Sequence, residues 1–255
     1  MIRVWRRVLA AVLAAAVTAA SGAAADGTLP VRPDHGRGTA TLPDNSVYVG
    51  EFRDGLFHGH GTLRWKVGDS YVGEFAEGLF NGHGEYSFAS GDHYSGEYRD
   101  GMPHGQGVYT SARGDRYEGE FRDGLMEGQG RWEVAGDGVY RGAVKDGRYH
   151  GRGRFEYEDG STYEGWFAEG SYEGYGAWTH PDGESYVGEH HAGRRHGQGR
   201  YTWRNGDYYE GPFDRGYMHG QGRCRFDGVE GRCRYRDDEL LEFEEGETES
   251  RLRAS

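Results

Sequence analysis

The chain has 255 residues, 47 of them Gly, with 35% hydrophobic residues and a mean hydropathy of −0.90; so few Leu, Ile and Val cannot fill the thick interior of a conventional enzyme of this length. Its 19 Tyr, 11 Phe and 6 Trp exclude a disordered chain, and 6 Pro exclude collagen. A formal net charge of −12 opposes binding to nucleic acid and to anionic headgroups over most of the surface.

Residues 1–25 stand apart from the rest. Arg3, Arg6 and Arg7 form a basic head, Val8 to Ala20 form a 13-residue run without charge, and Ala23-Ala24-Ala25 precede Asp26. This is the layout of a secretory signal peptide. An uncleaved membrane anchor is the alternative, but a span needs about 20 apolar residues. Arg6-Arg7 followed by Leu9-Ala10 is an imperfect twin-arginine signal, and no Cys near the cleavage site invites a lipid. Export, most simply to the periplasm, is expected. Removing residues 1–25 leaves 27 basic against 42 acidic side chains, a net charge of −15.

Residues 26–47 hold half of a repeat and a linker, and residues 48–230 hold eight full repeats. Tyr recurs at Tyr48, Tyr71, Tyr94, Tyr117, Tyr140, Tyr163, Tyr186 and Tyr209, each 23 residues from the last. With each unit numbered from its Tyr, Gly occupies positions 3, 8, 12 and 14 in all eight. Position 5 carries Phe52, Phe75, Tyr98, Phe121, Phe167 and Phe213, with Val144 and His190 as departures. Position 4 carries Glu51, Glu74, Glu97, Glu120 and Glu189, broken by Ala143, Trp166 and Pro212. Upstream, His35-Gly36-Arg37-Gly38 stand at positions 11 to 14 of a leading half unit.

Segments such as Tyr48-Val49-Gly50-Glu51-Phe52-Arg53-Asp54-Gly55-Leu56-Phe57-His58-Gly59-His60-Gly61 resemble the MORN (membrane occupation and recognition nexus) repeat, with its YxGxxxxGxxxGxG pattern. The resemblance covers residues 48 to about 230. It implies association with membranes, or protein interaction and dimerisation.

The residues explain why such a unit makes a sheet. Strand side chains alternate, so positions 1, 3 and 5 share a face. Asp54-Gly55, Asp100-Gly101, Asp123-Gly124 and Asp146-Gly147 are two-residue hairpin signals. Such a turn at positions 7 and 8 sets position 3 opposite 12 and position 1 opposite 14. Each Tyr ring then covers a bare cross-strand Gly, an aromatic rescue of a residue that otherwise weakens strands. The odd period requires one irregular connection, a bulge or a three-residue loop, around positions 18 to 22. The expected fold is all-β: an elongated single-layer antiparallel sheet of tandem 23-residue hairpins, about 17 strands spanning about 80 Å, twisted and curved.

Cys224 and Cys233 flank the Asp227-Gly228 turn, and an oxidising compartment favours a disulfide between them. With a two-residue turn Cys224 falls opposite Gly231, so the bond is expected to need a bulge or a longer loop. Residues 231–255 are read as a degenerate capping strand and an acidic tail.

Candidate chemistry is sparse. Glu at position 4 faces position 11, which is His58, His104, His150, His196 or His219 in five units. Such pairs repeat where a catalytic set is singular, and they do not complete a metal shell. His190-His191 with His196 is the densest His cluster and a weak metal candidate, and Asp92, Asp115 and Asp207 stand beside turn glycines, where they could hold Ca²⁺ weakly but are read first as solvated turns. No catalytic residue, metal or cofactor is assigned.

The reading is a non-enzymatic scaffold of the cell envelope that binds a protein partner, with self-association through edges or ends. The candidate contact surface is an aromatic-lined concave face: Tyr48, Phe52, Tyr71, Phe75, Tyr94, Tyr98, Tyr117, Phe121, Tyr140, Tyr163, Phe167, Tyr186, Tyr209 and Phe213. The alternative is envelope glycan binding, with Trp65, Trp132, Trp178 and Trp203 stacking on sugars, or a membrane-associated adaptor. Nucleic acid is excluded as a partner, and direct binding to anionic lipid is disfavoured by charge.

Overall fold

The computed structural model describes residues 33–246. The expected signal peptide, residues 26–32 and the acidic tail beyond residue 246 lie outside the described residues. The chain divides into two compact units, Met1–Ala135 with Val144–Gly147 and Gly136–Ala143 with Arg148–Ser255. Among the described residues there are twenty strands and no helix, so the chain is all-β.

In the first unit the strands Gly36–Thr41, Val47–Arg53, Leu56–Arg64, Ser70–Ala76, Leu79–Ser87, His93–Arg99, Met102–Thr110, Arg116–Arg122 and Leu125–Val134 follow one another. Each pairs antiparallel with the next in a single layer. The strand Gly138–Lys145 contains the boundary between the units. In the second unit the same succession runs from Arg148–Tyr157 through Thr162–Ala168, Ser171–Thr179, Ser185–His191, Arg194–Thr202 and Tyr208–Asp214. It closes with Tyr217–Met218, Gly220–Phe226, Val229–Arg236 and Glu239–Glu245.

The two-residue turn lies at positions 7 and 8. Arg53 pairs with Leu56, and Asp54 and Gly55 both have positive φ, 51° and 66°. Two positive φ values make the primed turn that suits strand twist. The N–H of the turn Gly donates to the position-10 carbonyl of the preceding hairpin, as Gly78 does to Phe57 at 2.9 Å and Gly193 to Tyr172 at 2.9 Å. Successive turns are thereby stacked.

Beyond the turn the register departs from expectation. Glu51 pairs with His58, but Gly50 then pairs with Gly61 and Tyr48 with Leu63, so Gly59 and His60 form a two-residue bulge. Position 3 therefore faces 14 rather than 12, and position 1 faces 16. Gly59 has φ 55°, and Gly82, Gly105, Gly128, Gly151, Gly174, Gly197 and Gly220 at the same position are also positive. Position 12 is Gly because of this backbone conformation. A two-residue shift leaves the faces unchanged, so the odd period resides elsewhere. Arg64 pairs with Ser70 across a five-residue loop, closed by bonds from Trp65 N to Asp69 O and from Gly68 N to Trp65 O, both 3.0 Å. The irregular connection is at positions 18 to 22, with five loop residues in place of three.

The shift aligns positions 3 and 14 of neighbouring strands into a row of glycines. In the first unit Gly38, Gly50, Gly61, Gly73, Gly84, Gly96, Gly107, Gly119 and Gly130 are successive cross-strand partners. In the second, Gly153, Gly165, Gly176, Gly188, Gly199 and Gly211 continue the pattern. The Tyr rings lie on this row: a Cβ on Gly61 would meet the Tyr48 ring at 2.5 Å and its hydroxyl at 2.4 Å. Aromatic rescue of the position-14 Gly is present, by a diagonal contact in place of the expected opposite one.

Cys224 and Cys233 form a disulfide with 5.9 Å between their Cα atoms. Phe226 pairs with Val229 across the two-residue turn, and Cys224 lies opposite Gly231, so the bond runs diagonally and neither a bulge nor a longer loop is present. Cys233 pairs with Gly222 at the edge of the glycine row, and Gly231 stands two residues before it, where a repeat would carry Tyr. A missing ring leaves room for the sulfurs. The strand Glu239–Glu245 then covers Val229–Arg236, with Phe243 edge-on to Phe226 at 5.1 Å.

Candidate functional site

All fourteen rings of the expected aromatic surface are buried, none more than 4% exposed. They are core, and the expectation that they line an open groove does not hold. The reason is position 10, which the sequence reading passed over. Phe57 stacks on Tyr48 at 3.9 Å, Phe80 on Tyr71 at 3.7 Å, Tyr149 on Tyr140 at 4.2 Å and Tyr172 on Tyr163 at 3.6 Å. Elsewhere Pro103, Met126 and Met218 occupy that place, all buried. Each Tyr is thus enclosed by the glycine floor, a lid from position 10 and walls from position 5. Tyr48 meets both Phe52 and Phe75 edge-on at 5.1 Å.

The hydroxyls are spent inside the bulge. Each of the eight Tyr Oη atoms donates to the carbonyl of position 4, at 2.6 to 3.2 Å. Burial pushes the phenols of Tyr48, Tyr140, Tyr163 and Tyr209 up to about 12.

The position-4 carboxylate completes the bulge. Glu74, Glu97, Glu120 and Glu189 each accept the backbone N–H of position 13 at 2.9 to 3.0 Å, and Glu51 does so at 3.4 Å. Their side chains cover the position-12 Gly, where a Cβ would lie 2.4 to 2.7 Å from the carboxylate. Position 4 faces position 11 as expected, Glu51 opposite His58, but the carboxylate turns to the position-13 N–H instead of to the His side chain. The position-11 residue turns to the neighbouring hairpin, with His104 3.6 Å from Asp123, His196 3.7 Å from Asp214 and Glu173 accepting the N–H of Ala192 at 3.0 Å. Asp92 and Asp115 accept the N–H groups of Ala112 and Ala135 in the next loop, at 2.8 and 3.1 Å. Among the described residues no group of three or more His, Cys, Asp or Glu is placed to hold a metal ion.

The Trp residues are also largely structural. Trp65 is 8% exposed and packs on Phe80 and Tyr86, Trp132 meets Tyr117 edge-on, and Trp178 and Trp203 pack on the C-terminal core.

What remains open is the other face, where positions 2, 4, 13 and 15 project. In the first unit a depression of about 530 Å³ lies over Gly38, Gly50, Gly61 and Gly73, flanked by Val49 and Val72, each about half exposed. In the second unit Trp166 is 51% and Tyr175 61% exposed, standing at positions 4 and 13 of one repeat. A further depression there includes Tyr175, Val187, Gln198 and Arg200.

One hairpin breaks the core pattern. Positions 5 and 10 pair as Phe52 with Phe57, Phe75 with Phe80, Tyr98 with Pro103, Phe121 with Met126, Phe167 with Tyr172 and Phe213 with Met218. In the Tyr186 repeat the pair is His190 with Arg195. His190 is 6% exposed, its ring edge-on to Tyr163, Tyr172 and Tyr186. Its neighbours His191 and His196 are exposed, so the three do not converge.

The family model of the MORN repeat matches residues 48–70, 71–93, 94–116, 117–133, 140–162, 186–208 and 209–228. The segment 163–185 lies outside these matches, yet folds as the same hairpin with Gly165 opposite Gly176. No curated protein matches the chain. Among solved structures, the TCP domain of SAS-4 from Drosophila melanogaster, in complex with a proline-rich motif of Ana2, is 14% identical over 72% of this chain and 90% of its own, with a TM-score of 0.34. Virginiamycin B lyase from Staphylococcus aureus is 11% identical over 87% of each chain, and a streptogramin B lyase is 11% identical over 84% and 85%, with TM-scores of 0.18 and 0.17. At TM-scores below 0.5 these likenesses carry no inference.

Proposed function

Since the chain belongs to the MORN repeat family, we propose that it is a non-enzymatic repeat scaffold of the cell envelope, binding a protein partner on the hairpin face opposite the buried rings. The observation that carries this is the exposure of Trp166 and Tyr175, the one place where an aromatic residue occupies position 4 or position 13; the other repeats hold Glu, Ala or Pro at position 4 and His, Gln or Arg at position 13. Large aromatic side chains are favoured interface anchors, and leaving them in water serves no packing purpose. A regular array of hairpins with open places on one face suits an extended partner. The basic head and apolar run of residues 1–25 support an envelope location, and the acidic surface disfavours anionic lipid.

The test is site-directed photocrosslinking in intact cells, with the probe at position 166 or 175 and, as a control, at position 163 in the core. One discrete protein adduct from both surface sites and none from position 163 is the expected result. Retention of the purified chain on peptidoglycan with no protein adduct would move the function to glycan binding, and recovery of the chain from the cytoplasm would remove the envelope location.

A further inference from the structure

The His190–Arg195 hairpin contains a cavity of about 380 Å³, lined by Tyr172, Trp178, Tyr186, His190, Arg195 and Tyr201. Its volume lies in the range of small-molecule sites, and its walls are mostly aromatic with few polar groups. The exposed Arg194 also borders it, and the two less exposed polar groups, His190 and Arg195, are incompletely satisfied. The His190 imidazole meets the backbone at Gly188 and Gly174, yet its Nδ1 atom is buried with no hydrogen-bond partner of good geometry, an arrangement that a ligand hydroxyl would complete. Arg195 donates to the carbonyl of Gly216 at 2.7 Å, and its guanidinium lies 5.0 to 5.8 Å from the ring centres of Tyr186, Tyr201 and Phe213. Among the described residues no carboxylate lies within 4.0 Å of it. Nearby acids are engaged elsewhere: Asp182 and Glu184 pair with Arg204, and Asp214 with His196 and Arg215.

Packing does not demand this pair. Six other repeats fill the same two positions with uncharged aromatic, Met or Pro side chains, and a Phe at position 5 is the common solution. Here the chain places a cation and an imidazole in an open, aromatic-lined depression, on a molecule whose net charge is −12. An unpaired guanidinium selects a carboxylate through its fork of donors. A neutral imidazole nitrogen is satisfied in either tautomer by a hydroxyl, which both donates and accepts. Aromatic walls accept the apolar face of a ring.

We propose that this cavity binds a sugar acid, with its carboxylate on Arg195, a hydroxyl on His190 Nδ1 and its ring against Trp178 and Tyr201. The site is separate from the protein-binding face proposed above, and neither depends on the other.

The test is titration of the purified chain with D-glucuronate, followed by tryptophan fluorescence and calorimetry, with D-glucose and benzoate as comparisons. Saturable binding of glucuronate is expected, weakened about tenfold or more for glucose, which lacks the carboxylate, and for benzoate, which lacks the hydroxyls. Arg195→Met is expected to weaken glucuronate about tenfold or more. His190→Phe restores the ring that other repeats carry, so it keeps the fold, and it is expected to weaken binding about fivefold. In the unmodified chain the His190 imidazole resonances should move on saturation. Absence of saturable glucuronate binding, equal binding of glucose, or wild-type affinity in folded His190→Phe and Arg195→Met would each overturn the proposal.

Discussion

Glu74 Oε1 accepts the backbone N–H of His83 at 2.9 Å, and the same carboxylate covers Gly82, whose φ is 67°. One acidic side chain thus satisfies a bulge N–H that the strand ladder leaves unpaired. A charge-assisted bond of this kind, partly exposed to solvent, contributes about 1 kcal/mol. Glu74→Ala is expected to lower the thermal midpoint by a few degrees, and Glu74→Gln by less, because the amide oxygen still accepts. The converse is sharper. Ala143 leaves the equivalent bulge at Gly151 without a carboxylate, its own Cβ being the one group near, 3.3 Å from where a Cβ on Gly151 would lie. Ala143→Glu is expected to raise the midpoint. A neutral or lower midpoint for that variant would show that the carboxylate is not what stabilises the bulge.

The Tyr94 ring occupies the space a side chain on Gly107 would need. A Cβ there would lie 2.5 to 2.7 Å from the ring and hydroxyl, and the backbone of Gly107 is an ordinary strand conformation. Gly107→Val should therefore act by sterics alone, costing about 3 kcal/mol as the ring is expelled from its Gly floor. That corresponds to about 6 to 12 °C in a domain of this size. Pairing Gly107→Ala with Tyr94→Leu in a double-mutant cycle isolates the contact, and strict additivity would refute the stacking.

The legible parts of this fold rest on local pattern. The 23-residue period, the turn at Asp54-Gly55 and the ring over Gly61 follow from side-chain alternation and turn chemistry. The bulge at Gly59-His60 was not legible, because a Gly at position 12 reads equally as a strand residue and as a positive-φ residue. That ambiguity shifted the predicted register by two. The position-10 lid escaped for a different reason: Phe57, Pro103, Met126 and Arg195 share a place and no residue type. Once Tyr is read as an open face instead of a covered core, the candidate contact surface falls on rings that are buried. His190 stood out as a departure from the aromatic pattern. Its meaning emerged only when the register set it opposite Arg195.

His190 should make stability depend on acid. Burial, with the guanidinium of Arg195 adding to it, holds the imidazole down to about 4 from an ordinary 6.5. The groups that face it are Arg195 and the phenols of Tyr163, Tyr172 and Tyr186; the phenols stay neutral throughout the acid range. As pH falls below 6.5 the unfolded chain takes up a proton that the folded chain does not accept until about 4. Stability is thus fully present above 6.5 and falls across that window, by roughly 3 kcal/mol at most. Melting the wild type and His190→Phe from neutral pH down to about pH 4 should give a constant difference near neutrality, with the wild type losing more as acid is added. A difference that stays constant throughout would mean that His190 titrates normally.

The Cys224–Cys233 bond should stabilise the last hairpins and report on where the chain resides. Its sulfurs sit in a core with Tyr186, Tyr209, Phe213 and Tyr235, at a separation of 9 residues. For a loop of that length the chain-entropy estimate is about 2.5 kcal/mol. Reduction, or Cys233→Ser, is expected to lower the midpoint by several degrees and to raise amide exchange in residues 220–245 before the first unit is affected. Thiol quantification under denaturing conditions supplies the second half. Protein recovered from the periplasm should show no free thiol until reductant is added, and two afterwards, whereas a form retained in the reducing cytoplasm should show two at once. Two free thiols in the exported protein would remove both the covalent staple and the stability assigned to it.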